Sequence, residues 1–154
     1  MKIIYIAGKF SAPTRAGVEA NIRAAELRGL EVARIGLMPL IPHANTAHPE
    51  FERVQPYPFW IAGTLELLRR ADAVLTISGW ETSNGARGEV EEALRLGKPV
   101  FHELADLAAC IDPGTMGEAE AEFGATIRDE QPTLRDGEPL VGRMTGAERG
   151  QSDG

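Results

Sequence analysis

The stretch at residues 73–96 constrains the fold of this chain more than any other. It begins with an apolar run at residues 73–77, continues through a loop punctuated by Gly79 and Gly85, and ends in a helical pattern that Gly97 closes. In open α/β sheets, ligands bind where a strand, a glycine loop and a helix start meet. We therefore expect a binding site here, where glycine lets the backbone approach a ligand and free N–H groups at the helix start favour an anion or a sugar.

Glu89 lies in the first turn of the helix predicted from this pattern. The positive end of the helix dipole should keep its carboxylate ionised, and an ionised carboxylate that faces a pocket can act as a nucleophile. A first-turn acid can equally serve only to complement the dipole. The spacing alone leaves both interpretations open.

Apolar runs that predict strands alternate along the chain with patterns that predict helices. The predicted strands are residues 2–7, 37–42, 73–77 and 99–102, and the predicted helices are residues 15–35, 60–70, 90–96 and 103–111. This alternation predicts an α/β fold built from parallel units, a small open parallel sheet of about four to five strands flanked by helices, similar to flavodoxin and Rossmann folds. Prolines in the second run place that strand at an edge of the sheet.

Polar motifs follow the first three predicted strands. Gly8 and Lys9 follow the first, a segment with His43 and Asn45 follows the second, and the segment from Trp80 follows the third. Because the carboxyl ends of parallel strands meet at one edge, we expect these residues to form a single ligand-binding rim. For His43 and Asn45 we expect hydrogen bonds to a nucleobase or a sugar.

Two histidines five residues apart, His43 and His48, also raise the question of a metal. They lack a recognised ligand spacing and a clear third ligand, so we expect neither a metal nor a cofactor. Aromatic residues at positions 51–60 could stack on a base. Packing over the core is the expectation for Phe51, whereas Tyr57 and Trp60 stay open.

The bulk composition restricts the partners and the compartment. We predict one domain over residues 1–111 and a largely disordered tail over residues 112–154, which is rich in Gly, Pro, Asp and Glu. The net charge of −7 argues against a nucleic acid or an anionic membrane as partner and favours a small molecule. The single cysteine, Cys110, lies in an apolar segment and is expected to be buried, and no apolar run approaches a membrane span. We therefore expect a cytoplasmic protein.

Residues 79–89, with the sequence GWETSNGARGE, resemble the motif of the nucleoside 2-deoxyribosyltransferase-like superfamily, and most closely its small DUF4406-type branch. Further matches are residues 5–8, 21–26, 42–46 and 65–73. Together the matches cover about residues 2–103 in the order and spacing of the family. The ordered set carries the resemblance.

The resemblance implies a reaction and a set of roles. Enzymes of the superfamily cleave the N-glycosidic bond of 2-deoxynucleosides or their 5′-monophosphates, and they either transfer the sugar to another base or hydrolyse it. It implies that Glu89 is a nucleophile that forms a glycosyl-enzyme intermediate, and that Tyr5 orients it, although a tyrosine in the first strand is more often part of the core. It also implies that Ser83, Asn84 and Gly85 hold the sugar or a 5′-phosphate.

One position departs from the pattern of the catalytic relatives. Where they carry an aspartate before the third strand, this chain has Thr64, which cannot act as a general acid near neutral pH. The leaving base would then take its proton from His43, Glu66, Glu81 or solvent. The departure keeps a second hypothesis open, a nucleotide-binding protein without catalysis.

Two further expectations complete the sequence analysis. A nucleotide hydrolase of the related phosphoribohydrolase type would need a PGGxGTxxE loop, which this chain lacks. The resemblance also implies a homodimer, for which the apolar and aromatic stretch at residues 57–68 could supply the interface.

Overall fold

Four parallel strands form the sheet of the computed structural model, which describes residues 1–110. The strands are β1 (Ile3–Ala7), β2 (Met38–Leu40), β3 (Ala73–Thr76) and β4 (Val100–Phe101), in the spatial order β2-β1-β3-β4. Tyr5 in β1 is level with Leu40 in β2 and with Val74 in β3. The predicted α/β class and the parallel sheet are thus confirmed, and the proline-containing strand β2 lies at an edge as predicted.

Within residues 1–110, six α-helices and one short 3-10 helix (Trp80–Thr82) connect or follow the strands, and only the α-helices are numbered. They are α1 (Arg15–Arg34), α2 (Pro42–Asn45), α3 (Phe51–Val54), α4 (Tyr57–Arg70), α5 (Asn84–Arg95) and α6 (Leu104–Ala109). Helix α1 begins where the Thr14 side chain accepts a hydrogen bond from the Gly17 N–H, at 3.1 Å, and the chain turns away at Gly36, which has a φ of 78°. The short helix α2 replaces the loop expected after the second strand, because Pro42 at its first position already has the φ angle of a helix.

Side chains alternate between the two faces of the sheet, and each face carries its own core. Ile4, Ile6 and Leu75 pack with residues of α1 and α6 on one face. Tyr5 and Val74 pack with residues of α4 and α5 on the other. Burial of both faces explains why β1 and β3 read as continuous apolar runs and not as alternating ones.

Helix α5 begins earlier than the sequence pattern predicted. Ser83 is its N-cap, with Oγ accepting a hydrogen bond from the Ala86 N–H at 3.3 Å. Gly85 therefore lies inside the helix, and Gly79, with a φ of 81°, is the glycine that turns the loop. Glu89 is the sixth helical residue, so it lies in the second turn. The argument that the helix dipole ionises it was wrong, because that effect is confined to the first turn.

The C-terminal part of the described chain corrects one expectation and leaves another outside its range. Cys110 is exposed, so the prediction of a buried thiol was wrong. The cause is that α6 turns only Leu107 fully into the core and Cys110 follows its last turn. The predicted disordered tail, residues 112–154, lies outside the described residues. Within residues 1–110, no helix combines the length and the apolar character that a membrane crossing requires.

Candidate functional site

A cleft of about 670 Å³ opens beside the carboxyl ends of β1, β2 and β3. It brings together residues from all three polar motifs that the sequence placed at one rim. Seven of the ten predicted site residues line it: Gly8, Lys9, His43, Ser83, Asn84, Gly85 and Glu89. Its volume is that of a small-molecule site.

Tyr5 and Glu89 form a hydrogen-bonded pair beside this cleft. Tyr5 is fully buried in β1, and its hydroxyl donates to Glu89 Oε1 at 2.7 Å across a separation of 84 residues. Glu89 Oε2 is also buried, and it has no hydrogen-bond partner in the described part of the chain. One carboxylate oxygen is therefore held by the sheet, and the other is unpaired next to the cleft.

Burial changes the protonation of this pair. It raises the pKa of Glu89 to about 7, and the hydrogen bond from Tyr5 opposes that rise. Burial, reinforced by the nearby Glu89 charge, raises the pKa of Tyr5 far above its usual range. Near neutral pH, Glu89 is consequently present in both forms, while Tyr5 keeps its proton.

Thr64 in α4 completes the surroundings of the pair. It lines the cleft, and its hydroxyl donates to the Ile61 carbonyl at 3.0 Å. It also lies close enough to the Tyr5 hydroxyl to lower the pKa of Tyr5, although burial and the Glu89 charge raise that pKa by more. A side chain at position 64 thus faces the nucleophile candidate. In this chain that side chain is a hydroxyl and not an acid.

The start of α5 forms one wall of the cleft. Asn84 and Gly85 occupy its first turn, where backbone N–H groups have no partner within the helix. Both residues line the cleft, and the Tyr57 hydroxyl lies 3.8 Å from the position that a Cβ at Gly85 would occupy. This wall suits an anionic or polar group such as a phosphate or a sugar.

The loop at residues 8–11 forms another wall of the cleft, and Asn21 is hydrogen-bonded to it. The Asn21 side-chain amide donates to the carbonyls of Phe10, at 3.0 Å, and Ser11, at 3.4 Å. Asn21 is therefore not an exposed mid-helix amide. It ties α1 to the backbone that carries Lys9.

His43 supports the same loop from α2. Its Nε2 lies 3.3 Å from the Lys9 carbonyl, and only 3% of the residue is exposed. A carbonyl can only accept a hydrogen bond, so Nε2 carries the proton. Burial lowers the pKa of His43, so the ring is neutral near pH 7 and Nδ1 holds a lone pair.

An aromatic wall closes a further side of the cleft. Phe51 and Trp60 stack with ring centroids 4.8 Å apart, and Trp60 Nε1 donates to the carbonyls of Phe51, at 3.2 Å, and Gln55, at 3.1 Å. Phe51, Tyr57 and Trp60 all line the cleft. Sequence reasoning assigned Phe51 to packing and left the other two open. The clustering of aromatic residues between two predicted elements was the signal that pointed to a cleft wall.

Three predicted site residues do not line the cleft. Tyr5 is buried in β1 and reaches the cleft lining only through its hydrogen bond to Glu89. Asn45 is exposed on α2, and its neighbour Thr46 lines the cleft instead, because one step along a helix rotates a side chain by roughly 100°. Trp80 stacks on His102, with ring centroids 5.4 Å apart and nearly parallel planes.

The two acidic proton-donor candidates, Glu66 and Glu81, lie away from the cleft lining. Glu66 does not line the cleft and pairs with Arg69 at 3.3 Å and with Arg70 at 2.8 Å. Glu81 is exposed and lies outside the cleft lining as well. Among residues 1–110, no group of three or more His, Cys, Asp or Glu side chains is arranged to hold a metal ion.

The sheet and the cleft at its carboxyl edge define a three-layer α/β protein with one wall made by a helix start. Residues 2–102 match the family described as Domain of unknown function (DUF4406), and this chain belongs to that family. Among curated proteins, none matches the chain.

Proposed function

We propose that this protein cleaves the N-glycosidic bond of a nucleoside or nucleotide, with Glu89 as the nucleophile. The observation that carries the proposal is the pair of Tyr5 and Glu89 beside the cleft, in which Oε1 is held at 2.7 Å and Oε2 is unpaired. The resemblance of residues 79–89 to the nucleoside 2-deoxyribosyltransferase-like superfamily gives Glu89 the same role.

The reaction would run as a double displacement. Glu89 Oε2 attacks the anomeric carbon, the bond from that carbon to the base nitrogen breaks, and its electron pair leaves with the base. Water or a second base then attacks the anomeric carbon from the opposite side and releases its proton to solvent, while the ester bond breaks and its electron pair returns to the Glu89 carboxylate. The configuration of the sugar is therefore retained. Tyr5 keeps its proton throughout and orients the carboxylate through Oε1.

The binding surfaces around Glu89 suit such a substrate. The N–H groups of Asn84 and Gly85 at the start of α5 can bind a sugar hydroxyl or a 5′-phosphate. The stacked rings of Phe51 and Trp60 offer an apolar wall for a base. No described residue is required to hold a metal for this chemistry.

The leaving base takes its proton from solvent in this proposal. Glu66 and Glu81 do not line the cleft, and neutral His43 commits its only ring proton to the Lys9 carbonyl. Thr64 faces the pair where the catalytic relatives carry an aspartate. Loss of a positioned general acid typically lowers a rate by about 10²–10⁴-fold, so we expect slow turnover.

Thr64 is also the observation that favours the second candidate, a nucleotide-binding protein without catalysis. The start of α5 and the aromatic wall would bind a nucleotide whether or not the bond breaks. In that case Glu89 would be a buried carboxyl that shapes the cleft.

The test is to incubate the protein with a panel of 2′-deoxynucleosides and their 5′-monophosphates and to measure the free base. The wild type should release base, and Glu89→Gln should release about 10³-fold less or none while still binding the ligand, because an amide cannot form the glycosyl ester. Glu91→Gln is the matched control, since Glu91 is exposed on the same helix. Undiminished release by Glu89→Gln would exclude the nucleophile role.

Thr64→Asp separates the two candidate functions. An aspartate at this position would stand beside Glu89, the two carboxyls would share a proton, and the protonated one could donate to the leaving base. We expect faster base release from this variant. Ligand binding with no release from either the wild type or Thr64→Asp would favour the binding protein.

We also propose that the protein acts as a homodimer in the cytoplasm. Tyr57 and Phe59, at the start of α4, are 64% and 52% exposed, which is a large exposed area for aromatic side chains beside a cleft. The lone, exposed Cys110 suits a reducing compartment. Sedimentation that shows only monomer at micromolar concentration would contradict the dimer.

A further inference from the structure

Two buried polar atoms next to the cleft have no hydrogen-bond partner within residues 1–110. They are Glu89 Oε2 and His43 Nδ1. Leaving a buried polar atom unpaired typically costs about 1–3 kcal/mol, so such atoms are rare and call for a reason. The proposed function gives Glu89 Oε2 a role. It gives none to His43 Nδ1.

The chemical character of His43 Nδ1 follows from its surroundings. Nε2 must carry the ring proton, because its neighbour at 3.3 Å is the Lys9 carbonyl. Only 3% of the residue is exposed, and burial lowers the pKa of His43 more than the nearby carbonyls of Lys9 and Gly8 raise it. The ring is therefore neutral near pH 7, and with the proton on Nε2, Nδ1 has none. His43 Nδ1 therefore can accept a hydrogen bond from a donor, whereas another acceptor placed beside it would be repelled.

The strand order places this acceptor away from the reacting centre. His43 follows β2, whereas α5 and Glu89 follow β3, and β1 lies between those two strands. A sugar bound at the start of α5 with its anomeric carbon near Glu89 would direct its base across the end of β1. The far edge of that base would then lie on the side of His43.

We propose that His43 determines base specificity by accepting, at Nδ1, a hydrogen bond from an N–H on the far edge of the base. The partner is an exocyclic amino group or a ring imino group. This inference rests on the proposed substrate class, a nucleoside or nucleotide. Nδ1 is covered in the free protein, so a neighbouring group must move to admit the base edge. The half-buried Phe10 ring lines the cleft and is centred 5.9 Å from the imidazole.

The test uses ligand pairs that differ in one N–H. The pairs are the 5′-monophosphates of 2′-deoxyadenosine and its 6-desamino analogue, 2′-deoxycytidine and its 4-desamino analogue, thymidine and its N3-methyl analogue, and 2′-deoxyguanosine and its 2-desamino and N1-methyl analogues. Dissociation constants are measured by calorimetry in the Glu89→Gln background, so that no ligand turns over. The 3′-deoxy analogue of the tightest ligand tests the sugar.

Three variants identify the atom that is responsible. His43→Gln keeps an amide that can reach the Lys9 carbonyl but leaves no atom at the position of Nδ1. His43→Asn places an amide oxygen near that position and gives up the contact with Lys9. His48→Gln is the control, since His48 is exposed and does not line the cleft.

We expect deletion of the recognised N–H to weaken binding about 5- to 50-fold when His43 is present. The same deletion should change binding by less than about 2-fold in His43→Gln, and His43→Asn should recover part of the discrimination. His48→Gln should match the parent. A purely structural role of His43 would weaken both members of each pair equally, and that result would overturn the inference.

The remaining outcomes separate this inference from the proposed function. If discrimination between ligands with and without a base N–H depends on His43, but the wild type releases no base, the inference on His43 stands and the proposed enzymatic activity is wrong. If the wild type releases base, but His43 affects discrimination at none of the N–H groups, the enzymatic activity stands and the inference on His43 is wrong. Coupling only to the 3′-hydroxyl, or no binding of any ligand in the panel, would also overturn it.

Discussion

Replacing Glu89 with glutamine should change the stability of the protein in a pH-dependent way. The burial that raises the pKa of Glu89 from 4.5 to about 7 acts only in the folded state. Between those two pH values the folded protein binds a proton that the unfolded chain has released. The free energy of unfolding therefore falls as pH rises through this window, and the full cost is present above about pH 7.

The magnitude follows from the size of the shift. Moving the pKa from 4.5 to about 7 corresponds to roughly 3 kcal/mol, at about 1.4 kcal/mol for each pH unit. Glutamine resembles the neutral carboxyl in shape and can keep the contact of Oε1 with Tyr5. We expect Glu89→Gln to be close to the wild type near pH 4.5 and about 3 kcal/mol more stable than it near pH 8.

Urea unfolding of both proteins near pH 4.5 and near pH 8 measures this difference. Other titrating groups cancel because both proteins share them, and Glu91→Gln should show no such change. If Glu89 merely answered the helix dipole, the glutamine variant would be about 0.3–1 kcal/mol less stable near pH 8. If the stability difference between the two proteins is the same at both pH values within about 0.5 kcal/mol, the conclusion that burial raises the pKa of Glu89 is wrong.

Three other predictions concern single residues. Tyr5→Phe removes the hydrogen bond that lowers the pKa of Glu89, so the midpoint of the pH-dependent stability should move to higher pH, and an unchanged midpoint would contradict the pair. Asn21→Ala should weaken ligand binding about 5-fold or more by releasing the carbonyls of the loop, with a stability loss of only about 1 kcal/mol; equal binding would show that the loop holds itself. Gly79→Ala should cost about 1 kcal/mol because φ is 81°, whereas Gly63→Ala, in a helix with open space around it, should stabilise by about 0.4–1 kcal/mol; denaturant midpoints check both, and equal effects would contradict the backbone argument.

The sequence predicts the central strands and the longest helix well, for a physical reason. A strand that is buried on both faces must be apolar along its whole length, and β1 and β3 show this pattern directly. Helix α1 carries its own start and stop signals at Thr14 and Gly36. These features are local, so the sequence contains them in full.

Sequence reasoning missed one weak local signal and the features that depend on distant residues. Two glycines in the first turns of α5 weaken the helical pattern, so the pattern predicts a later helix start than the one at Ser83 and places Glu89 in the wrong turn. The pKa of Glu89 also depends on the hydrogen bond from Tyr5, which lies 84 positions away in the sequence. No local pattern contains that information.

The same limit applies to the rim. Alternation of strands and helices predicts which loops converge, but it does not predict which side chain of a loop turns inward. Thr46 lines the cleft where Asn45 was expected, because the expected loop is a short helix. Trp80 was assigned to the rim from its position after β3, yet its ring packs against His102.

The two edges of the sheet affect how this protein behaves at high concentration. The edge strands are the shortest in the sheet, three residues in β2 and two in β4. Pro39 in β2 has no N–H to offer, and Pro99 stands immediately before β4. Such edges give another chain little backbone on which to extend the sheet, which protects against aggregation by strand addition. Within residues 1–110, side chains on the helices then offer more surface for contact between copies than the sheet edges do, and single substitutions there can tune such a contact without disturbing the sheet.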